Sequence, residues 1–279
     1  MQQSLIKQGW IRVFIFLVAY LLFLICGGKL LVSFSSSFPE IKTHLTTISI
    51  GFNMIAGFIL VFFFRRFMDK GRIKGLGLQW KGFTREGSIG LVTGMLLSFI
   101  VAVVLWLMQL LQWYIDEISI TGLFSSLLLM IAVALVEELV FRGYVLQNLM
   151  QSIPHTGALL LSAILFAILH SLNPDFNLTA FFNILLAGLL LGINYIFTRN
   201  LWFGILLHFS WNFVQGPVLG FKVSGLELPS LLQQNLRGSI LLTGGEFGLE
   251  ASWLTTIVFG IMIPVLYALF HKKYKVPSA

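Results

Sequence analysis

The sequence predicts an all-α membrane protein, a polytopic bundle of about eight transmembrane helices. Charged residues make up 10% of the 279 residues and hydrophobic residues make up 57%, whereas about 25% of residues are charged in a typical soluble domain. The mean hydropathy of +0.92 agrees with this assignment. No polar stretch is long enough to form a soluble domain, so we expect residues 1–279 to form a single integral-membrane domain.

Eight apolar stretches are long enough to approach or cross a hydrocarbon core about 30 Å thick. They lie at 11–34, 46–67, 87–112, 120–142, 157–172, 178–197, 201–219 and 252–270. The first stretch follows Lys7 and Arg12, as the apolar part of a signal peptide would. It is too long for a signal peptide and has no small-residue cleavage site, so we interpret it as a retained span.

The basic residues are distributed unevenly between the alternating connections. Lys29, Lys42, Lys222 and Arg237 lie on one side, and the rest of the 18 Lys and Arg residues lie on the other. By the positive-inside rule, both termini are expected in the cytoplasm, and we expect a multi-pass protein of a bacterial plasma membrane. Topology and contact with anionic lipids therefore explain the net charge of +7, and no nucleic-acid partner is implied.

Two connections stand out from the others. Residues 65–86 are basic and glycine-rich, which is typical of a solvated cytoplasmic anchor. Residues 216–251 form the longest connection on the opposite side and are apolar for a loop. This segment either packs over the mouth of the bundle as a lid or re-entrant segment, or is a merely structural loop.

An adjacent pair of carboxylates, Glu137 and Glu138, lies in an apolar segment that has no earlier charge from residue 121 onward. A carboxylate at the bilayer centre costs about 3 kcal/mol or more. Arg142 follows Glu138 at i+4, so these two side chains share a helical face and can neutralise each other. Glu137 points about 100° away and has no local partner. We therefore expect Glu138 to be structural and Glu137 to be available for chemistry.

Two further predicted spans carry histidines. His170 ends one of them, with Phe166 at i−4, and His208 shares a helical face with Asn212 at i+4. Taken singly, a histidine at a span end is usually an interfacial anchor, and a His/Asn pair often forms hydrogen bonds between helices. Here, however, three separate spans each carry polar side chains, and one of these side chains, Glu137, is a carboxylate without a local partner. This combination indicates a functional site. The other histidines, His44, His155 and His271, lie in connections or at ends.

These residues form three patterns that occur in order on separate spans: E-E-L-V-F-R-G at 137–143, F-A-I-L-H at 166–170 and H-F-S-W-N at 208–212. They resemble the E-E-x-x-x-R, F-x-x-x-H and H-x-x-x-N motifs of the CAAX protease and bacteriocin-processing family of intramembrane endopeptidases. This family is also called the Abi or type II CAAX prenyl endopeptidase family. The resemblance covers residues 120–215, and the flanking spans are similar only in kind.

The resemblance implies hydrolysis of a peptide bond, and the residue types suit that reaction. Hydrolysis needs an activated water, a stabilised oxyanion and a proton for the leaving amine. A carboxylate can act as the base, a histidine can orient the water, and a His/Asn pair can bind the oxyanion. The expected catalytic residues are Glu137, His170, His208 and Asn212, and the expected supporting residues are Glu138, Arg142 and Phe166.

Metal catalysis is the alternative mechanism for the same residues. One Glu and two His form a known type of zinc ligand set. If a metal takes part, its ligands are expected to be Glu137, His170 and His208. We favour a site without a metal or other cofactor, because Asn212 is a poor zinc ligand.

Other functions are open at this point. The chain has no H-E-x-x-H, G-x-G-D or G-x-S-G sequence, which counts against the zinc, aspartyl and serine types of intramembrane protease. A proton-coupled transporter could use Glu137 and the histidines as a relay, although the absence of internal repeats weakens this hypothesis. The chain could also be a catalytically silent scaffold or a bacteriocin-immunity protein. The expected partners are the bilayer and a membrane-associated protein or peptide substrate, such as a prenylated CAAX protein or a bacteriocin-linked peptide.

The predicted depths of the site residues conflict. Counted from residue 120, Glu137 lies about 25 Å into its span, in the cytoplasmic half. His208 lies about 10 Å above the cytoplasmic face, but His170 lies about 20 Å above it. The fifth span must therefore start late, tilt or end inside the protein.

Overall fold

The computed structural model describes residues 4–38 and 45–274. Lys42, His44, Lys275 and Ala279, which enter the sequence-based predictions of topology and of histidine placement or their test, lie outside the described residues. The prediction of an all-α polytopic bundle is confirmed. The longer helices are α1 (Gly9–Ser37), α2 (Leu45–Phe63), α3 (Thr84–Leu107), α4 (Ile120–Glu138), α5 (His155–His170), α6 (Leu178–Thr198), α7 (Trp202–Phe213) and α8 (Trp253–Lys273).

The predicted number of eight spans is approximate. In the described part of the chain, six helices are long and apolar enough to cross a membrane, which supports an integral membrane protein. The two other apolar stretches form the shorter helices α5 and α7, of 16 and 12 residues. Each of these two helices carries one of the histidines of the predicted site.

Several short elements continue or connect the long helices. The π-helical segments Phe64–Met68, Leu139–Leu146 and Val214–Val218 extend α2, α4 and α7. The 3₁₀ segments are Ile73–Leu76, Gly245–Phe247 and Leu249–Ala251, and the short α-helical segments are Gln147–Leu149 and Ile240–Thr243. Strands β1 (Leu111–Tyr114) and β2 (Gln233–Leu236) pair antiparallel, with Leu111 opposite Leu236.

Helices α3 and α7 pack at close range because α3 carries glycines on the shared face. A Cβ atom at Gly90 would overlap the carbonyl oxygen of Phe203, and one at Gly94 would overlap that of Leu207. Such small-xxx-small spacing lets two membrane helices approach at backbone distance. This contact fixes the position of α7 directly beside His208.

The helices differ in how much of their surface is buried. In the most apolar window of each helix, 67% of α6 is buried, against 17% of α1 and 22% of α2. Helix α6 is therefore central, and α1 and α2 form one flank. Apolar side chains such as Phe14 and Phe58 are exposed on this flank, as expected for a surface that faces lipid.

The connection at 65–86 is more closely packed than a solvated anchor. Leu76 is buried, and its carbonyl oxygen accepts a hydrogen bond from the Tyr195 hydroxyl at 3.2 Å. The Leu201 N–H donates to the Gly77 carbonyl at 2.9 Å. The middle of this connection thus packs against the start of α7.

The connection at 216–251 covers one end of the bundle, as the lid interpretation expected. Phe221, Val223, Phe247 and Leu249 are buried. Its first part is tied to β1 by the Trp113 indole N–H, which donates to the Leu219 carbonyl at 3.1 Å. A simple peripheral loop would leave these apolar side chains in contact with water.

The depth conflict between Glu137 and His170 disappears because the fourth predicted span continues past Arg142. The helix runs on through Leu149, so Glu137 lies about 18 Å from that end. His170 lies about 22 Å from the start of α5 at His155, and these two helix ends are neighbours in the chain. The predicted boundary at 142 was wrong, and it had placed Glu137 too close to the surface.

Candidate active site

The paired carboxylate of the site is Glu138, at the last residue of α4. Glu138 and Arg142 are buried, and Arg142 Nη1 donates to Glu138 Oε1 at 2.7 Å. Arg142 Nη2 donates to the Gly188 carbonyl at 2.9 Å, and the guanidinium lies 4.7 Å from the centre of the Phe166 ring. The charge of Glu138 is therefore balanced inside the bundle, as its i+4 spacing predicted.

The free carboxylate is Glu137. Its Oε2 atom is buried and has no hydrogen-bond partner among the described residues. This oxygen lies 3.6 Å from His170 Nε2 and 3.9 Å from His208 Nε2. Both distances are too long for a direct hydrogen bond but lie within the reach of one bridging water. A buried acceptor without a partner is unfavourable, so this position favours an additional polar group.

The second nitrogen of each histidine fixes the orientation of its ring. His170 Nδ1 lies 2.8 Å from the Phe166 carbonyl oxygen, which can only accept, so Nδ1 carries a proton. The Phe166 ring also packs on His170, with 4.2 Å between ring centres. His208 Nδ1 lies 3.3 Å from Glu138 Oε1, and the same argument assigns it a proton. Both Nε2 atoms are then left facing Glu137.

Asn212 lies one turn after His208 on α7, as its spacing predicted. Its side chain is buried and lines the same cavity as Glu137, His170 and His208. Its amide forms no hydrogen bond with the residues that the structure describes. The structure thus brings all four expected catalytic side chains to one cavity.

This cavity, which we call the roofed cavity, has a volume of about 240 Å³. Residues 223–226 of the 216–251 connection cover it, and Asn173 and Pro174 line its side. A second cavity of about 290 Å³, the flank cavity, lies between α1, α2 and α5. Glu137 and His170 line both cavities, so the free carboxylate stands where the two meet.

Sequence reasoning missed the buried carboxylate of Glu250. Gln215 Nε2 donates to its Oε2 at 2.6 Å, and its carboxylate also accepts from the backbone and hydroxyl of Ser224. Burial raises the pKa of the Glu250 carboxyl. Glu250 thereby ties the roof of the cavity to the end of α7. Its sequence context, a glycine-rich connection, carries no signal of burial.

Sequence reasoning also missed two polar side chains of the flank, Tyr20 on α1 and Asn53 on α2. Both line the flank cavity. The signal in the sequence is that both are polar residues inside apolar spans.

The described residues include no group of three or more His, Cys, Asp and Glu side chains placed to hold a metal ion. Glu137, His170 and His208 converge, but their arrangement does not form such a group.

Fold and site together define a class: a helical integral membrane protein with a carboxylate, two histidines and an asparagine around a cavity between its helices. Residues 117–214 match the family model described as type II CAAX prenyl endopeptidase Rce1-like. This segment is thus similar to the Rce1-like endopeptidases, and the predicted resemblance is confirmed. It contains all the expected catalytic and supporting residues. Comparison with curated proteins and with solved structures gave no match.

Proposed function

We propose that the protein is an intramembrane endopeptidase that hydrolyses a peptide bond of a membrane-associated protein or peptide. One observation carries the proposal: the unpaired Glu137 Oε2 faces two histidine Nε2 atoms beside a cavity. The family match of residues 117–214 supports the same activity.

In the proposed first step, a water bound between Glu137 and His170 attacks the carbonyl carbon of the scissile bond. Glu137 takes one proton from this water, and His170 Nε2 accepts a hydrogen bond from the other, which orients the attacking oxygen. The carbonyl oxygen becomes an oxyanion. Glu137 then delivers its proton to the leaving amine as the carbon–nitrogen bond breaks.

The oxyanion is proposed to be bound by His208 and Asn212. The Asn212 amide can donate without any change. His208 can donate from Nε2 only if it carries both protons, because its Nδ1 proton is directed at Glu138. In this proposed form, the positive charges of His208 and Arg142 match the negative charges of Glu137 and Glu138.

The substrates proposed are prenylated proteins that end in a CAAX sequence, as the family description suggests, or, as a second candidate, peptides linked to bacteriocin maturation. We further propose a bacterial plasma membrane with both termini in the cytoplasm, which the distribution of Lys and Arg supports. Cysteine labelling at Ala279 in intact cells tests this orientation. Labelling by a membrane-impermeant reagent from outside would reverse it.

Two other functions make different predictions. A proton-coupled transporter would move protons in liposomes without cleaving any peptide. A silent scaffold or immunity protein would function in cells with Glu137 replaced. We propose that no metal takes part, so chelation should leave cleavage intact. Loss of activity on chelation and its return with zinc would favour the metal mechanism.

The decisive experiment compares wild type with Glu137→Gln. Gln keeps the shape and hydrogen-bonding capacity of Glu but cannot take a proton, so we expect cleavage to fall by at least a hundredfold. Membrane-associated peptides are compared in cells that carry each form, and turnover of a farnesylated CAAX peptide is measured with purified protein. The matched control is Glu117→Gln, at an exposed residue in the connection before α4, which should remain active. Full activity of Glu137→Gln would refute the glutamate base.

A further inference from the structure

About half of the residues that line the flank cavity lie outside the matched segment 117–214. Tyr20, Leu24 and Leu31 come from α1, and Ser49 and Asn53 come from α2. Glu137 and His170 form its inner wall. The helices that the family match leaves out thus supply one side of the space next to the proposed base.

Two polar side chains of this cavity lack partners. Tyr20 is 8% exposed, and its hydroxyl forms no hydrogen bond within the described ranges. The Asn53 amide likewise forms none there, and this residue lines the roofed cavity as well. Both line a cavity between membrane-spanning helices, so their polar atoms are open to an occupant that supplies hydrogen bonds.

An extended peptide meets this requirement. A peptide bond can be cleaved only where the chain is unwound, and the unwound main chain then exposes N–H and C=O groups that must be paired in a membrane. An asparagine side chain offers both a donor and an acceptor, as a peptide group does. Apolar residues such as Leu24 and Leu172 line the rest of the cavity and suit apolar side chains. A lipid chain in this space would leave Tyr20 and Asn53 unpaired.

We propose that the flank cavity is the main-chain subsite of the enzyme, where Asn53 and Tyr20 bind peptide groups of the substrate next to the scissile bond. This inference rests on the proposed peptidase function. Asn53 lines both cavities. The bound peptide therefore runs from the flank cavity past Asn53 to the oxyanion donors of the roofed cavity. Asn53 and Tyr20 act on substrate binding and take no part in proton transfer.

The test uses a fluorescent farnesylated peptide that ends in Cys-aliphatic-aliphatic-X. Cleavage is measured with wild type, Asn53→Leu and Tyr20→Phe, and binding is measured with the same changes in the Glu137→Gln background. We expect Asn53→Leu to raise KM and Kd about tenfold, the effect of one lost hydrogen bond. The value of kcat should stay within about twofold, as for a group that binds ground state and transition state equally. Tyr20→Phe should act in the same direction.

The matched control is Ile55→Leu on the lipid-facing side of α2, where the side chain is 62% exposed. It should leave KM, Kd and thermal stability unchanged. Asn53→Leu must also keep its wild-type melting temperature in detergent, so that a change in KM reports binding. The subsite would be overturned if Asn53→Leu left KM and Kd unaltered, or if it lowered kcat about tenfold without changing KM. Either result would leave the peptidase proposal intact.

Binding measurements separate this inference from the proposed activity. Asn53-dependent binding without any cleavage by wild type would keep the subsite and reject the peptidase function. If the peptide neither binds nor is cleaved, both proposals are overturned for this substrate class.

Discussion

The two sides of the Glu137 carboxylate are built on different principles. On the side of α4–α7, two polar groups next to Glu137 are held within the protein: Arg142 donates to Glu138 at 2.7 Å, and His170 donates to the Phe166 carbonyl at 2.8 Å. On the side of α1 and α2, Tyr20 and Asn53 form no hydrogen bond with the described residues. The first side also contains the deeply buried helix α6, whereas α1 and α2 are mostly exposed.

This difference indicates a division of roles. Paired polar groups among tightly packed helices hold charges and protons in fixed positions, which electrostatic catalysis requires. Unpaired groups on a lightly packed flank can accept an occupant without loss of internal hydrogen bonds. Changes on the first side should therefore reduce stability together with activity, and changes on the second side should affect binding alone.

The largest effect is expected for Glu138→Gln on the paired side. Arg142 would remain buried without a countercharge, and breaking a buried pair costs about 3–5 kcal/mol. His208 would also lose the carboxylate that holds its Nδ1 proton. We expect a large drop in melting temperature in detergent together with loss of cleavage. If Glu138→Gln melts like Asn53→Leu, the contrast between the two sides fails.

A smaller effect is expected for Gly204→Ala on α7. A Cβ atom there would lie 2.7 Å from Glu138 Oε2 and 2.9 Å from the Leu191 carbonyl oxygen. Overpacking of this kind costs about 1–3 kcal/mol, and displacement of Glu138 should reduce kcat more than it changes KM.

Gly157→Ala on α5 is the matched control, because a Cβ atom there meets nothing within 4 Å. Thermal melting and cleavage kinetics of the two variants are compared side by side. Equal behaviour of both alanine variants would show that the contact of α7 with Glu138 is not tight.

The smallest effect is expected for the dependence of stability on pH that the buried Glu250 carboxyl causes. The pKa of Glu250 is raised by burial, so the folded protein holds this proton more firmly than the unfolded chain, in which a Glu titrates near about 4.3. Its contribution to stability is thus fully present below that value and falls as the pH rises toward the folded pKa. We expect the melting temperature of wild type to fall over this range relative to that of Glu250→Gln.

The difference in melting temperature between wild type and Glu250→Gln separates the effect of Glu250 from the effects of His170 and His208. These two histidines line the small cavity beside Glu250. Gln at this position retains the contacts with Gln215 and Ser224 without an ionisable group. Parallel melting curves at every pH would show that Glu250 does not titrate in this range.

Much of the fold was predictable from the sequence, because the bilayer imposes simple rules on composition and length. Apolar stretches had to become helices, since their main-chain polar groups have no other partners in lipid. The pairing of Glu138 with Arg142, and the shared face of His208 and Asn212, followed from the helical repeat alone. The three ordered motifs were sufficient to predict the domain type of residues 117–214.

Only the tertiary structure decided where these groups meet and what surrounds them. The relative depth of Glu137 and His170 depended on how far the helix continues past Arg142, where the predicted span had ended although Arg142 is paired inside the bundle. The burial of Glu250 and the unpaired states of Tyr20 and Asn53 arise from contacts between segments distant in sequence. The helical repeat determines which side chains share a face, but packing between helices determines which of them find a partner and which remain available to a substrate.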